Sequence, residues 1–221
     1  MTRRPTVLSV SAVLAVVIYA GLWAGYRLQW HWLHAVDAGA IDHLLAYGLA
    51  HPAWVHFWNV FCTMFGPNGF RVLGAVAVGY AAWQRRVRMV VFVLVCIGAS
   101  GFISSAAKAL AHRPRPADEL ATAELTSFPS GHAIAVMTGV LALLTVTAGV
   151  GGPKLRAAAV ALGTLVVIGV GFGRVAVVVH YPSDVVAGWA LGYLWFLVCF
   201  VLVRPLSKAS AETPAAPDSG R

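Results

Sequence analysis

The chain has 221 residues, of which 59% are hydrophobic and 11% carry a charged side chain. Its mean hydropathy is +0.78, whereas soluble domains carry charge on about 25% of their residues. This composition excludes a soluble globular domain and indicates an integral membrane protein. The net charge of +8 is also typical of nucleic-acid-binding proteins, so the positions of the charges decide between the two explanations.

Six apolar segments are each close to the ~20 residues that a helix needs to cross the hydrocarbon core. They are residues 5–26, 67–84, 89–107, 133–153, 157–173 and 185–203. The first follows Arg3 and Arg4 as in a signal peptide, but its length predicts an uncleaved helix. The second contains Arg71, which we expect to snorkel to the membrane surface. The sequence therefore predicts an all-α polytopic membrane protein with six transmembrane helices.

The stretch between the first two spans has the features of a membrane surface. Its tryptophans and histidines, Trp30, His31, Trp32 and His34, suit the boundary between lipid and water. Within residues 35–50, apolar side chains fall on one helical face and the two aspartates, Asp37 and Asp42, lie elsewhere. The apolar positions are Val36, Ile41, Leu44, Leu45 and Leu49. We therefore predict an interfacial amphipathic helix here, with residues 54–65 also near the surface.

The basic residues gather on one side of the six-span arrangement. The side of the two termini holds Arg3, Arg4, Arg85, Arg86, Arg88, Lys154, Arg156, Arg204, Lys208 and Arg221, against Glu212 and Asp218. On the other side, basic and acidic residues are equal in number. This asymmetry follows the positive-inside rule, so it predicts cytoplasmic N and C termini and gives no indication of a nucleic-acid partner.

We predict a single domain over residues 1–205 and a disordered cytoplasmic tail over residues 206–221, which are rich in Ala, Ser and Pro. The three cysteines, Cys62, Cys96 and Cys199, lie far apart in apolar segments, which favours buried thiols over a disulfide or metal site. A metal site built from His31, His34 and His43 is an alternative without a supporting carboxylate spacing. Interfacial positions suit these histidines and two others, His51 and His56.

Two groups of polar residues flank the third and fourth spans on the non-cytoplasmic side. Lys108 ends the third span, and Arg115 follows in an Arg-Pro-Arg-Pro run that fixes an extended backbone. Ser130, Gly131 and His132 begin the fourth span, where a serine cap and free backbone N–H groups form an anion site. Taken alone, the lysine could snorkel, and the Pro-Ser-Gly-His sequence could form an ordinary turn.

A third group lies between the fifth and sixth spans, where Arg174, His180 and Asp184 reach the same side. Cations and N–H groups could hold a phosphate, while one histidine attacks phosphorus and another protonates the leaving oxygen. Asp184 lies four residues after His180 and could accept its Nδ1–H bond, which would fix the tautomer. This chemistry needs no metal, because the cations neutralise the phosphate.

The order and spacing of these groups resemble the three-part signature of the type 2 phosphatidic acid phosphatase family, whose site is shared with vanadium haloperoxidases. The matching motifs are Lys108-x6-Arg115-Pro116, Pro129-Ser130-Gly131-His132 and Arg174-x5-His180-x3-Asp184. They cover residues 108–184, and the predicted six-span architecture is similar to the membrane branch of the family over about residues 6–205.

The resemblance implies that His180 forms a phosphohistidine, that Asp184 is hydrogen-bonded to it, and that His132 is the acid. It also implies a set of phosphate-binding residues and no cofactor or metal. That set is Lys108, Arg115, Ser130, Gly131 through its N–H, and Arg174. The chain departs from the family at Gly173, where a serine is usual, so one hydroxyl contact to phosphate is lost.

The sequence thus predicts a metal-independent enzyme that hydrolyses a lipid phosphate monoester or diphosphate at the extracytoplasmic face of the plasma membrane. Undecaprenyl pyrophosphate, phosphatidylglycerol phosphate and phosphatidic acid are all candidate substrates, and no residue discriminates among them. A non-hydrolytic lipid-phosphate binder or transporter is an alternative that the loss of His180 or His132 would favour. Peroxidase chemistry with bound vanadate fits the same ligands but not a site that faces lipid head groups.

Overall fold

A computed structural model describes residues 3–122 and 126–206, and every regular element in these ranges is an α-helix. The helices are α1 Arg3–Arg27, α2 His31–Ala50, α3 Pro52–Met64, α4 Pro67–Trp83, α5 Val87–Gly98, α6 Ser100–Ala111, α7 Gly131–Val146, α8 Pro153–Ala176 and α9 Pro182–Val203. The predicted all-α class is confirmed. Residues 207–221 of the predicted tail lie outside the described residues.

Four helical segments are long and apolar enough to cross a membrane: Thr6–Arg27, Val87–Ala111, Pro153–Ala176 and Pro182–Val203. They coincide with the first, third, fifth and sixth predicted spans, and the chain is an integral membrane protein. The Val87–Ala111 segment comprises α5 and α6, which meet at Ala99. The two remaining predicted spans correspond to shorter apolar helices, α4 with 17 residues and α7 with 16.

Helix α7 is the centre of the bundle. It packs most extensively against α9 and also contacts α4, α5, α6 and α8. Apart from His132, its residues are apolar or small, and those from Ala133 to Val136 are all buried. Because α7 begins at Gly131, this central position places the Pro-Ser-Gly-His sequence at the middle of one end of the bundle.

Two glycines of α9 allow its close approach to α7. A Cβ atom added at Gly188 would lie 2.7 Å from the carbonyl oxygen of Ser130, and one added at Gly192 would lie 2.7 Å from that of Ile134. The hydroxyl of Thr138 donates to the carbonyl of Gly192 at 3.1 Å. Small residues four positions apart form such tight contacts between membrane helices. The contact fixes the position of the α9 N-terminus along the axis of α7, relative to Ser130.

The segment predicted to be interfacial forms α2, and its two aspartates lie in different environments. Asp42 is exposed, whereas Asp37 is 1% exposed and faces the protein. The apolar face is also divided, because Ile41 is buried and Val36 and Leu49 are exposed. The predicted helix is therefore present, but one of its charged residues belongs to the protein interior.

We expect Gly192→Ala to lower the thermal unfolding temperature in detergent, because overpacking against the backbone of α7 costs roughly 1–3 kcal/mol. The control is Gly79→Ala in α4, where an added Cβ would meet no atom of the described chain within 4 Å. That control should be neutral or slightly stabilising, since alanine is the better helix former. Equal unfolding temperatures for the two variants would contradict the tight contact.

Candidate active site

Backbone hydrogen bonds join the three segments that carry the predicted motifs. The N–H of Ser130 donates to the carbonyl of Asp184 at 2.9 Å, which ties the start of α7 to the start of α9. The N–H of Ser127 donates to the carbonyl of Arg113 at 2.8 Å, and the N–H of Leu120 donates to the carbonyl of Val177 at 3.2 Å. These bonds make one end of the bundle a single unit, which we call the site end.

Three cations converge at the site end. Lys108, in the last turn of α6, is buried and donates to the carbonyls of Thr126 and Ser127. Arg115 donates from Nη1 to the carbonyl of Val179 at 2.6 Å, and the same atom lies 3.4 Å from Nε2 of His180. Arg174, in the last turn of α8, is 5% exposed. The three cations of the predicted phosphate-binding set thus lie at the same end of the bundle.

His180 and Asp184 lie side by side, as their spacing predicted. His180 is 2% exposed, and its Nδ1 is 3.5 Å from Oδ2 of Asp184. This distance is longer than a hydrogen bond, and Oδ2 instead accepts the N–H of Tyr181 at 2.9 Å. The aspartate therefore faces the correct nitrogen of the histidine, and a small approach of the two side chains would complete the bond.

The surroundings of His180 keep its imidazole neutral. Burial, together with the positive charges of Arg174, Arg115 and Lys108, holds the pKa of His180 well below its usual value. A neutral ring keeps the lone pair that a nucleophile requires. The site therefore presents a neutral imidazole next to several positive charges, an arrangement suited to attack on an anion.

The start of α7 contributes the remaining predicted residues. Ser130 is fully buried at the N-cap, and a Cβ atom added at Gly131 would lie 2.8 Å from Oγ of Ser104 in α6. The partly exposed ring of His132 lies against Gly66, where an added Cβ would be 2.9 Å from Cδ2 of the histidine. The turn between α3 and α4 thus packs directly against the predicted acid.

Three buried polar atoms at the site end have no hydrogen-bond partner within the described residues. They are Oγ of Ser130, Nε of Arg174 and Nδ1 of His180. Buried polar groups are rarely left unpaired. Oγ of Ser130 and Nε of Arg174, together with the cations and the first N–H groups of α7, fit an anion such as phosphate, whereas Nδ1 of His180 faces Asp184.

The sequence interpretation gave no site role to Arg113, which lies in the same cluster. Its Nη1 is 2.7 Å from both Oδ1 of Asp184 and Oγ of Ser183, and its Nη2 is 2.7 Å from Oδ2 of Asp37. One signal was available, because Arg113 belongs to the same Arg-Pro-Arg-Pro run as Arg115, and the prolines of that run fix an extended backbone.

The departure from the family at Gly173 has a packing explanation. A Cβ atom added there would lie 2.5 Å from Sγ of Cys62 and 2.8 Å from Cε3 of Trp58. Both residues belong to α3, and Cys62 is fully buried. Helix α3 therefore fills the space that a side chain at position 173 would need.

The histidines for which the sequence predicts interfacial positions differ in exposure. His31, His43, His51 and His56 are exposed, and His34 is partly buried. Within residues 3–122 and 126–206, no three or more His, Cys, Asp or Glu side chains are grouped to hold a metal ion. The alternative metal site of His31, His34 and His43 has no support in this geometry.

Gly173→Ser is expected to destabilise the protein by roughly 1–3 kcal/mol through overpacking against α3. Adding Cys62→Ala should recover part of this loss, because it removes the sulfur that the new side chain meets. The control pairs Gly173→Ser with Cys199→Ala, a second buried cysteine in α9. Thermal unfolding should show coupling for the first pair and additivity for the second; additive effects in both pairs would contradict the packing explanation.

Comparison with known proteins gives the same assignment as the motifs. Residues 89–208, more than half of the chain, match the PAP2 superfamily. The fold is similar to the crystal structure of a transmembrane PAP2-type phosphatidylglycerolphosphate phosphatase from Bacillus subtilis, with a TM-score of 0.73, 17% identity and coverage of 90% of this chain and 98% of that one. At this identity the likeness concerns the fold alone.

An undecaprenyl-diphosphatase from Sulfolobus acidocaldarius is 40% identical over 79 residues. The matched stretch is 36% of this chain and spans about a third, 31%, of that relative. The match over more than half of the chain decides the family, and the arrangement of the three motifs at one end of the helical bundle agrees with it. This chain belongs to the PAP2 superfamily, the type 2 phosphatidic acid phosphatases.

Proposed function

We propose that this protein is a membrane-embedded phosphatase that hydrolyses the phosphate monoester or diphosphate of a lipid through a phosphohistidine on His180. The observation that carries the proposal is the buried imidazole of His180, with Nη1 of Arg115 3.4 Å from its Nε2 and the carboxylate of Asp184 3.5 Å from its Nδ1. The names of the two relatives, an undecaprenyl-diphosphatase and a phosphatidylglycerolphosphate phosphatase, support a lipid phosphate as substrate.

Substrate binding is assigned to the cations and to the start of α7. Lys108, Arg115 and Arg174 neutralise the phosphate oxygens, and the hydroxyl of Ser130 and the N–H of Gly131 donate hydrogen bonds. These groups are fixed before the reaction and stabilise the charge that develops in the transition state. Such a site requires no metal, because protein cations supply the positive charge.

In the first step, Nε2 of His180 attacks phosphorus, and the bond from phosphorus to the lipid oxygen breaks. His132 donates a proton to that leaving oxygen, and the proton on Nδ1 of His180 is held by Asp184. We assign the attack to Nε2 because Nδ1 is the nitrogen that faces Asp184. The product of this step is a phosphohistidine with the lipid alcohol, or the lipid monophosphate, released.

In the second step, a water molecule attacks the phosphohistidine while His132, now neutral, takes its proton. The new phosphorus–oxygen bond forms as the phosphorus–nitrogen bond breaks, and inorganic phosphate leaves. His180 returns to its neutral form and His132 to its protonated form. The two histidines therefore have different roles, one as nucleophile and the other alternating between acid and base.

We further propose six transmembrane helices, with α4 and α7 as the two shorter spans and α2 at the interface. Both termini are then cytoplasmic, and the site end is extracytoplasmic. The support is the positive-inside rule: Arg85, Arg86, Arg88, Lys154 and Arg156 lie at helix ends away from the motifs. The enzyme would thus act on lipid phosphates of the outer leaflet of the plasma membrane.

The purified protein should release phosphate from at least one of undecaprenyl pyrophosphate, phosphatidylglycerol phosphate and phosphatidic acid in detergent with excess EDTA. His180→Ala should lower kcat by more than about 100-fold, because it removes the nucleophile. The control is His43→Ala, since this exposed histidine of α2 contacts its own helix at the carbonyl of Gly39.

Three results would contradict the proposal. If the wild-type protein releases no phosphate from any of the three lipids, the proposed activity is wrong. If a folded His180→Ala variant keeps wild-type turnover, His180 is not the nucleophile. If EDTA abolishes activity and added metal restores it, the reaction depends on a metal.

The sidedness predicts a labelling pattern for single introduced cysteines in intact cells. Ala117→Cys, at an exposed position beside Arg115, should react with a membrane-impermeant maleimide, and Gly152→Cys, at an exposed position before α8, should not. Background labelling is expected to be low, because the three native cysteines are buried. Reaction at position 152 and protection at position 117 would reverse the proposed topology.

A further inference from the structure

Four parts of the chain meet at the guanidinium of Arg113. Its Nη2 donates to Asp37 of α2, and its Nη1 donates to Ser183 and Asp184 of α9, each at 2.7 Å. The plane of the guanidinium also lies over the rings of Tyr26, at 5.0 Å, and Tyr181, at 4.1 Å. Arg113 is 3% exposed, so this is a buried cation that contacts two aromatic rings and bridges two carboxylates.

Arg113 and Arg115 therefore have different roles, although they are two residues apart. Arg115 faces the carbonyl of Val179 and the ring of His180. Both terminal nitrogens of Arg113 are instead engaged by carboxylates, and Asp184 and Asp37 raise the pKa of Arg113 against the opposing effect of its burial. Arg113 is therefore a structural partner of Asp184, whereas Arg115 faces the proposed nucleophile, His180.

Asp37 reaches the start of α9 by a second route. Its Oδ1 accepts the N–H of Ser183 at 3.1 Å, and its Oδ2 accepts the hydroxyl of Ser183 at 2.5 Å. The residue after Ser183 is Asp184, so Asp37 restrains this carboxylate both through Arg113 and through the first turn of α9. Asp37 is 1% exposed and Asp184 is fully buried, so both carboxylates are shielded from solvent.

We propose that Asp37 is a positioning residue for the phosphatase reaction: it holds Arg113 and the first turn of α9 so that Asp184 stays directed at Nδ1 of His180. The proposal rests on the function proposed above. It makes α2 part of the catalytic apparatus, although α2 carries none of the three motifs.

The test compares Asp37→Asn with Asp42→Asn, a substitution of the same kind at an exposed position of the same helix. Asp37→Asn keeps the shape but removes the charge that holds Arg113, so kcat should fall by about tenfold or more, as expected when a catalytic group is displaced. KM should change less than about twofold, because Lys108, Arg115 and Arg174 keep their own contacts. Asp37→Glu should recover part of the loss, and Asp42→Asn should match the wild type.

A second measurement does not depend on turnover. In protein with ¹⁵N-labelled histidine, the ring-nitrogen shifts of His180, assigned by comparison with His180→Gln, report which nitrogen carries the proton. The wild type should hold the proton on Nδ1, and Asp37→Asn should shift this tautomer population. If the wild type releases no phosphate at all, the proposed function fails while the tautomer measurement still tests the role of Asp37.

The proposal is overturned if Asp37→Asn has a wild-type kcat per folded molecule and an unchanged His180 tautomer. It is also overturned if the variant loses activity only in proportion to the fraction that unfolds, because Asp37 would then act on stability alone. A loss that appears in KM with kcat unchanged would assign Asp37 to substrate binding instead and would equally exclude the positioning role.

Discussion

The site end depends on one buried cation placed between two buried carboxylates. Arg113 contacts Asp37 and Asp184 at 2.7 Å each. Removing one partner from such a group leaves an unpaired charge in the low-dielectric protein interior, which costs free energy. The arrangement therefore specifies a geometry more than it adds stability. It fixes α2, the first motif and the start of α9 relative to one another, and the other contacts of the site follow from those positions.

Close packing of helices supplies the second constraint. Gly188 and Gly192 bring the backbone of α9 against Ser130 and Ile134, and the N–H of Ser130 reaches the carbonyl of Asp184. The start of α7, with Ser130, and the carboxylate of Asp184 beside His180 are thus set in register by backbone contacts. A membrane bundle can hold this register without a hydrophobic driving force between its helices, because small residues let the backbones approach.

Helix α3 shows how a motif can vary while the fold is retained. Cys62 and Trp58 fill the space beside Gly173, and the thiol of Cys62 donates to the carbonyl of Val170 on the same helix as Arg174. The glycine and α3 therefore form a matched pair. Gly173 leaves Arg174, His180 and Asp184 together at the site end, so the departure from the motif is confined to this one position.

Sequence alone was sufficient to predict the helical class and four of the spans and to propose the eight site residues, because apolar runs and short spacings such as that of His180 and Asp184 are local properties. It could not predict the pairing of Asp37 with Arg113, because the two residues are 76 positions apart in the chain. The helical pattern of α2 does not show which residue Asp37 contacts. Nor could the sequence explain Gly173, whose neighbour Cys62 belongs to a different helix. Both depend on which helices pack together and how closely, and only the tertiary structure decides that.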